Sequence, residues 1–120
     1  MGTISKVLLS GSNQGKPISI TATGSTGTTI HTTLSSSTIM DEVWLYATNV
    51  DSTQRTLTIE LGGTGTTNEI IVGISPRSGL SIILPGTTIS GDGSGGSIIR
   101  GYSSSGGTIN IIGYVNRITP

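Results

Sequence analysis

Large apolar residues in this chain recur at every second position, in runs of four to eight broken by clusters of Gly, Ser, Thr, Asn and Pro. Successive side chains of a strand point to opposite faces, so this period predicts short strands with one apolar face each. The first run is Thr3 to Leu9, closed by Ser10-Gly11-Ser12-Asn13-Gln14-Gly15. Lys16 to Thr23 follows, with Ile18, Ile20 and Ala22 on one face; Pro17 suits a strand beginning or an edge. Past Gly24-Ser25-Thr26-Gly27, Thr28 to Leu34 alternates again: Ile30 and Leu34 one way, Thr29, His31 and Thr33 the other. Gln54 to Leu61 is the most regular, setting Leu57, Ile59 and Leu61 against Thr56, Thr58 and Glu60. Asn68 to Ser75, Gly79 to Leu84 and Ser97 to Tyr102 read as further strands, and Thr87 to Ser90 as a short one. Gly107 to Ile118 closes the chain.

One stretch departs from the simple alternation. Met40 to Val50, MDEVWLYATNV, holds the only Trp and one of three Tyr. Trp44 and Tyr46 share a face with Glu42, while Val43, Leu45 and Ala47 share the other. Two apolar faces predict a central strand covered on both sides. Eight to ten short strands without a helix call for two stacked antiparallel sheets. An eight-stranded jelly roll is the first expectation, and an Ig-like sandwich or Greek-key barrel the second. The length suits a single domain over residues 1–120, with residues 1–14 also readable as an extended arm. The SGS and GTGTT tracts read as turns, having no solenoid period.

Composition sharpens the all-β reading. Among 120 residues there are 18 Ile, 20 Thr and no Phe, so the apolar bulk is largely β-branched and favours strands. Charged residues are 10% with zero net charge, against about 25% in an ordinary soluble domain. The six cations, Lys6, Lys16, Arg55, Arg77, Arg100 and Arg117, are scattered, which argues against nucleic acid as a partner. So little charge suits a surface that other proteins cover. No Cys is present, which excludes disulfides and thiolate sites. No apolar run approaches the ~20 residues of a membrane helix, so no membrane partner is expected. The first residues lack a signal-peptide pattern, and Lys6 occupies the position where myristoylation wants Ser or Thr.

Candidate chemistry is sparse. Gly91-Asp92-Gly93-Ser94-Gly95-Gly96 matches a dinucleotide fingerprint in letters, but a strand follows it where a helix is required, so it reads as a hairpin loop. His31 is the only histidine. With Asp41 and a Ser it would formally make a triad; its place on the Thr face of its strand reads instead as a surface or interface hydrogen-bonder. One His and no Cys cannot supply a zinc site, and no cofactor is expected. Asp41 and Glu42 are neighbours and so point to opposite faces, each expected to meet Arg55, Arg100 or Arg117 across a sheet or subunit boundary. Trp44 and Tyr46 read as core or interface anchors in preference to a stacking platform. With Arg100, Tyr114 and Arg117 they complete the candidate anchor set, and no catalytic residue is expected.

The segments GKPISI (15–20), GTTIHT (27–32), DEVWLYATN (41–49), LTIELGG (57–63), SGLSIILPG (78–86) and INIIGYVNRI (109–118) occur in this order. Together they resemble a family of small virion structural proteins encoded among the head genes of tailed bacteriophages. The resemblance implies a β-sandwich that decorates or cements the outside of a capsid as a homotrimer. Its partners would be itself and the major capsid protein, after synthesis in the host cytoplasm. A neck or tail component, or a carbohydrate- or receptor-binding module, is the alternative. Family members often carry charge after the ELGG-type segment, where this chain has Thr64-Gly65-Thr66-Thr67-Asn68, so no ligand contact is carried over to that loop.

Overall fold

The computed structural model describes residues 2–120. Nine strands follow in order: β1 (Thr3–Leu8), β2 (Ile18–Ile20), β3 (Thr28–Thr32), β4 (Met40–Asn49), β5 (Arg55–Leu61), β6 (Glu69–Ile74), β7 (Ser81–Ser90), β8 (Ile98–Ser103) and β9 (Ile109–Thr119). The one helical element among the described residues is a 3-10 turn at Thr66–Asn68.

The pairing is nested. β5 pairs β6, β4 pairs β7, β3 pairs β8, and both β1 and β2 pair β9, all antiparallel. The chain is thus one long hairpin with its tip between β5 and β6. Rolling that hairpin sets β9 against β4 and β8 against β5. Two sheets result: β1-β9-β4-β7, with β2 also on β9, and β3-β8-β5-β6. This is the jelly-roll wrapping of a β-sandwich, and antiparallel neighbours need no helical crossover. Residues 3–8 lie along β9 as an edge strand.

Between the sheets, Ile20, Ile30, Leu45, Leu57, Ile59, Ile99, Ile109 and Ile111 are fully buried. An aliphatic core without Phe is filled by short branched side chains, which suit a pleated surface.

Three expectations change. The register of β3 shifts between Thr29 and His31, so Ile30 and His31 are both buried in sequence. That bulge carries His31 inside, not onto the Thr-lined surface its parity implied. The segments Gly79 to Leu84 and Thr87 to Ser90 join into the single strand β7, because Val43 pairs Thr87 and Trp44 pairs Pro85, leaving Gly86 as an inserted residue. Gly86 has φ +80°, and an added Cβ would lie 2.9 Å from Cζ2 of Trp44. Pro85 is tolerated because β7 is an edge strand. Finally, β4 is central, between β9 and β7, but only its inner face is sealed. Asp41, Val43, Leu45, Ala47 and Asn49 are buried, whereas Glu42, Trp44, Tyr46 and Thr48 are half-buried, with no layer of the described residues laid over them.

Candidate interaction face and a buried histidine network

The bulge in β3 brings His31 to Asp41 at the start of β4, across the two sheets. His31 Nε2 lies 2.7 Å from Asp41 Oδ2, and both residues are buried. The backbone N–H of Ser10 donates to His31 Nδ1 at 3.0 Å. Nδ1 therefore carries no hydrogen, which makes Nε2–H the donor to Asp41. Arg117 on β9 grips the same carboxylate, Nε to Oδ1 at 2.8 Å and Nη2 to Oδ2 at 3.0 Å. Burial by itself would raise the pKa of Asp41; the hydrogen bonds from Arg117 and His31, then the guanidinium charge, outweigh it and hold the carboxyl below its usual range.

This arrangement cannot work as a hydrolase triad. Both imidazole nitrogens are occupied, and the Ser10 hydroxyl accepts from the N–H of Thr32 at 2.7 Å. A general base needs a free nitrogen facing the nucleophile. The network is a polar tie between the β1–β2 loop, both sheets and the last strand.

Strand register sets out the outer face of the five-stranded sheet as rows running across the strands. Ile4, Ile118, Met40 and Ser90 form one row; Lys6, Asn116, Glu42 and Thr88 the next. Leu8, Tyr114, Trp44 and Pro85 form the third, followed by Ile112, Tyr46 and Ile82. Ser19, Asn110 and Thr48 close the set. Ile4, Leu8 and Ile82 are 68%, 55% and 62% exposed, too much for side chains belonging to a finished core.

The third row is a stack. The Trp44 and Tyr114 rings lie 6.3 Å apart at an interplanar angle of 12°. Lys6 Nζ sits 4.8 Å from the centroid of Tyr114. Gly86 abuts the indole, where a Cβ would have no room. Trp44 Nε1 donates to Glu42 Oε1 at 2.8 Å, and Asn116 Nδ2 donates to the same oxygen at 3.0 Å. Those two bonds hold the Glu42 carboxyl below its usual range. Lys6 thus covers the Tyr114 ring and Gly86 abuts the Trp44 indole, both from within the chain.

The anchors expected from sequence therefore divide. Asp41 meets Arg117 within the sheet, as one of the named pairs. Glu42 meets Trp44 and Asn116 and no Arg, because its side of β4 faces the outer row where β9 offers Asn116. Tyr46 and Tyr114 lie on the same outer face as Trp44. Arg55 pairs with Asp51 in the turn before β5. Arg100 lies on the other sheet, opposite Glu60 in register. Two participants escaped the sequence reading. Lys6 looked like one of several scattered cations, and only its pairing with Asn116 places it beside Tyr114. Glu60 sits on the polar side of its strand yet is fully buried, bound by Ser25 Oγ at 2.6 Å and the Gly27 N–H at 2.7 Å.

The glycine-rich loop behaves as a closed turn. Asp92 Oδ1 accepts from the N–H groups of Ser94 and Gly95, both at 2.8 Å, so these amides are spent within the loop. Those bonds, from Gly95 and then Ser94, lower the Asp92 carboxyl. Among the described residues there is no enclosed pocket, and no group of three or more acidic or His side chains is placed to hold a metal. No family model, curated protein or solved structure matches the chain.

Proposed function

We propose that this protein is a non-enzymatic structural subunit that attaches to the outside of a phage capsid and stabilises the shell through protein contacts. The observation that carries the reading is the bare outer face of the five-stranded sheet. Exposed large apolar side chains fall in three of its rows, with the polar row of Lys6, Asn116, Glu42 and Thr88 between two of them. Exposed apolar surface gathered on one face is characteristic of surfaces that other macromolecules cover. Its large members, Trp44, Tyr46, Tyr114 and Met40, are residue types enriched at protein interfaces. Its two charges are already partly compensated, Lys6 by Tyr114 and Glu42 by Trp44 and Asn116, which lowers the cost of removing water from them. The phage setting rests on the six ordered segments that resemble virion proteins. The decisive experiment is the copy number of the protein in purified particles, by quantitative mass spectrometry against the major capsid protein. A number comparable to the capsid protein supports decoration of the lattice; a number matching one ring moves the protein to the neck or tail. Absence from particles overturns the reading.

A further inference from the structure

We propose that the outer face of the five-stranded sheet pairs with the same face of a second copy, about a twofold axis running parallel to β9. The inference rests on reading this face as an interaction surface; a second copy is its occupant, and the paired subunits would meet the capsid through their remaining surface. About this axis three strand positions overlap, β1 with β2, β9 and β4; at about 4.8 Å per strand and five rows about 7 Å apart they span roughly 500 Å². Two such faces together bury about 1,000 Å², the least that a specific interface needs.

Charge selects the geometry. Lys6 and Glu42 lie in one row, on β1 and β4, with β9 between them. A half-turn about β9 exchanges the positions of β1 and β4. Each Lys6 then faces the other copy's Glu42, each Leu8 faces Trp44, and each Ile4 faces Met40. Asn116, Tyr114 and Ile118 on β9 meet their own counterparts. An axis on β4 would instead set Glu42 against Glu42. An axis across the strands through this row would set both Lys6 against Lys6 and Glu42 against Glu42. The β9 axis alone of these three converts the two charges of the face into two ion pairs.

The side chains have capacity for those pairs. Both hydrogen bonds to Glu42 fall on Oε1, so Oε2 has no partner among the described residues. Lys6 makes a ring contact and no ion pair among the described residues. Exposed apolar side chains then flank the pairs: Ile4 at 68% and Leu8 at 55% on β1, with Met40 at 42% on β4. Face-to-face sheets pack about 10 Å apart, a gap that a lysine and a glutamate reaching from opposite sides can close.

The test is sedimentation equilibrium on the full chain. Wild type is expected to dimerise, and Lys6→Glu and Glu42→Lys are each expected to weaken the dimer at least about tenfold. An equimolar mixture of these two single variants should restore dimers, because one ion pair keeps its native polarity and the other re-forms with its polarity reversed. The double variant should also dimerise. Ile4→Asp provides a second probe on a side chain too exposed to matter for folding, and should weaken the dimer with an unchanged circular dichroism spectrum. A monomeric or trimeric wild type, single variants that dimerise as wild type does, or a mixture that fails to recover would each overturn the pairing. Monomers that still bind capsids would overturn it while leaving the decoration reading intact, whereas dimers absent from particles would do the reverse.

Discussion

The two faces of β4 differ by one residue in phase and by everything in environment. Inward, Asp41, Val43, Leu45, Ala47 and Asn49 are sealed, and each polar member has partners: Asp41 in His31 and Arg117, Asn49 in the carbonyls of Thr53 and Ile74. Outward, Glu42 and Trp44 are held by each other, Asn116 and Tyr114, yet water still reaches them and Tyr46. The inner face holds the chain in its fold, and the outer face is the one proposed to meet a partner. On the four-stranded sheet the covering is local: Ser25 and Gly27, in the loop between β2 and β3, bind Glu60 and leave it without exposure, while Ile71 on the neighbouring strand β6 stays 65% exposed.

The largest effect should come from the inner face. Asp41→Ala strands His31 Nε2–H and the Arg117 guanidinium, and loss of one member of a buried ion pair typically costs about 3–5 kcal/mol. Urea unfolding followed by tryptophan fluorescence measures it; a loss under about 1 kcal/mol would mean the two faces of β4 do not differ as described. Trp44→Ala should cost less, about 2 kcal/mol, since the indole is half-buried and its removal opens no closed cavity. The variant is expected to remain folded and to lose association. Unfolding of the isolated Trp44→Ala chain would make the outer stack part of the core.

The smallest effect concerns acid. Asp41 titrates below its usual range in the fold, so its contribution to stability is fully present above the unfolded value of about 3.9 and is lost as pH falls through the lower folded value. Urea midpoints of wild type should therefore fall more steeply below about pH 4 than those of Asp41→Asn, which has no carboxyl at that position. Parallel acid limbs would detach the carboxylate from the stability of the inner face. Glu42→Gln, on the outer face, is the matching comparison.

Much of the fold was legible in the residues. Seven strands, β1, β3, β4, β5, β6, β8 and β9, lie within or nearly on the runs that period-two alternation marked, because the face a side chain takes is set by its own neighbours two positions away. β2 is shorter than its run, ending at Ile20, after which Ala22 and Thr21 turn to meet Thr28. At the candidate site, parity placed Trp44 and Tyr46 beside Glu42 and opposite Leu45. It failed at His31, where one inserted residue reverses every inference from alternation. It also could not weigh Gly86, whose backbone conformation makes room for an indole more than forty positions earlier.

From the chain of letters alone follow the all-β class, the aliphatic core and the two-faced character of Met40 to Val50, since composition and local period are properties of short windows. Tertiary structure decided which strands became neighbours, and with that everything chemical. Asp41 and Arg117 are 76 residues apart, and Glu42 and Asn116 are 74 apart. Lys6 reaches Tyr114 only because both ends of the chain lie on the same sheet. Glu60 is buried because the loop between β2 and β3 folds back onto β5, and a loop's path is settled by contacts across the sandwich rather than by the residues within it.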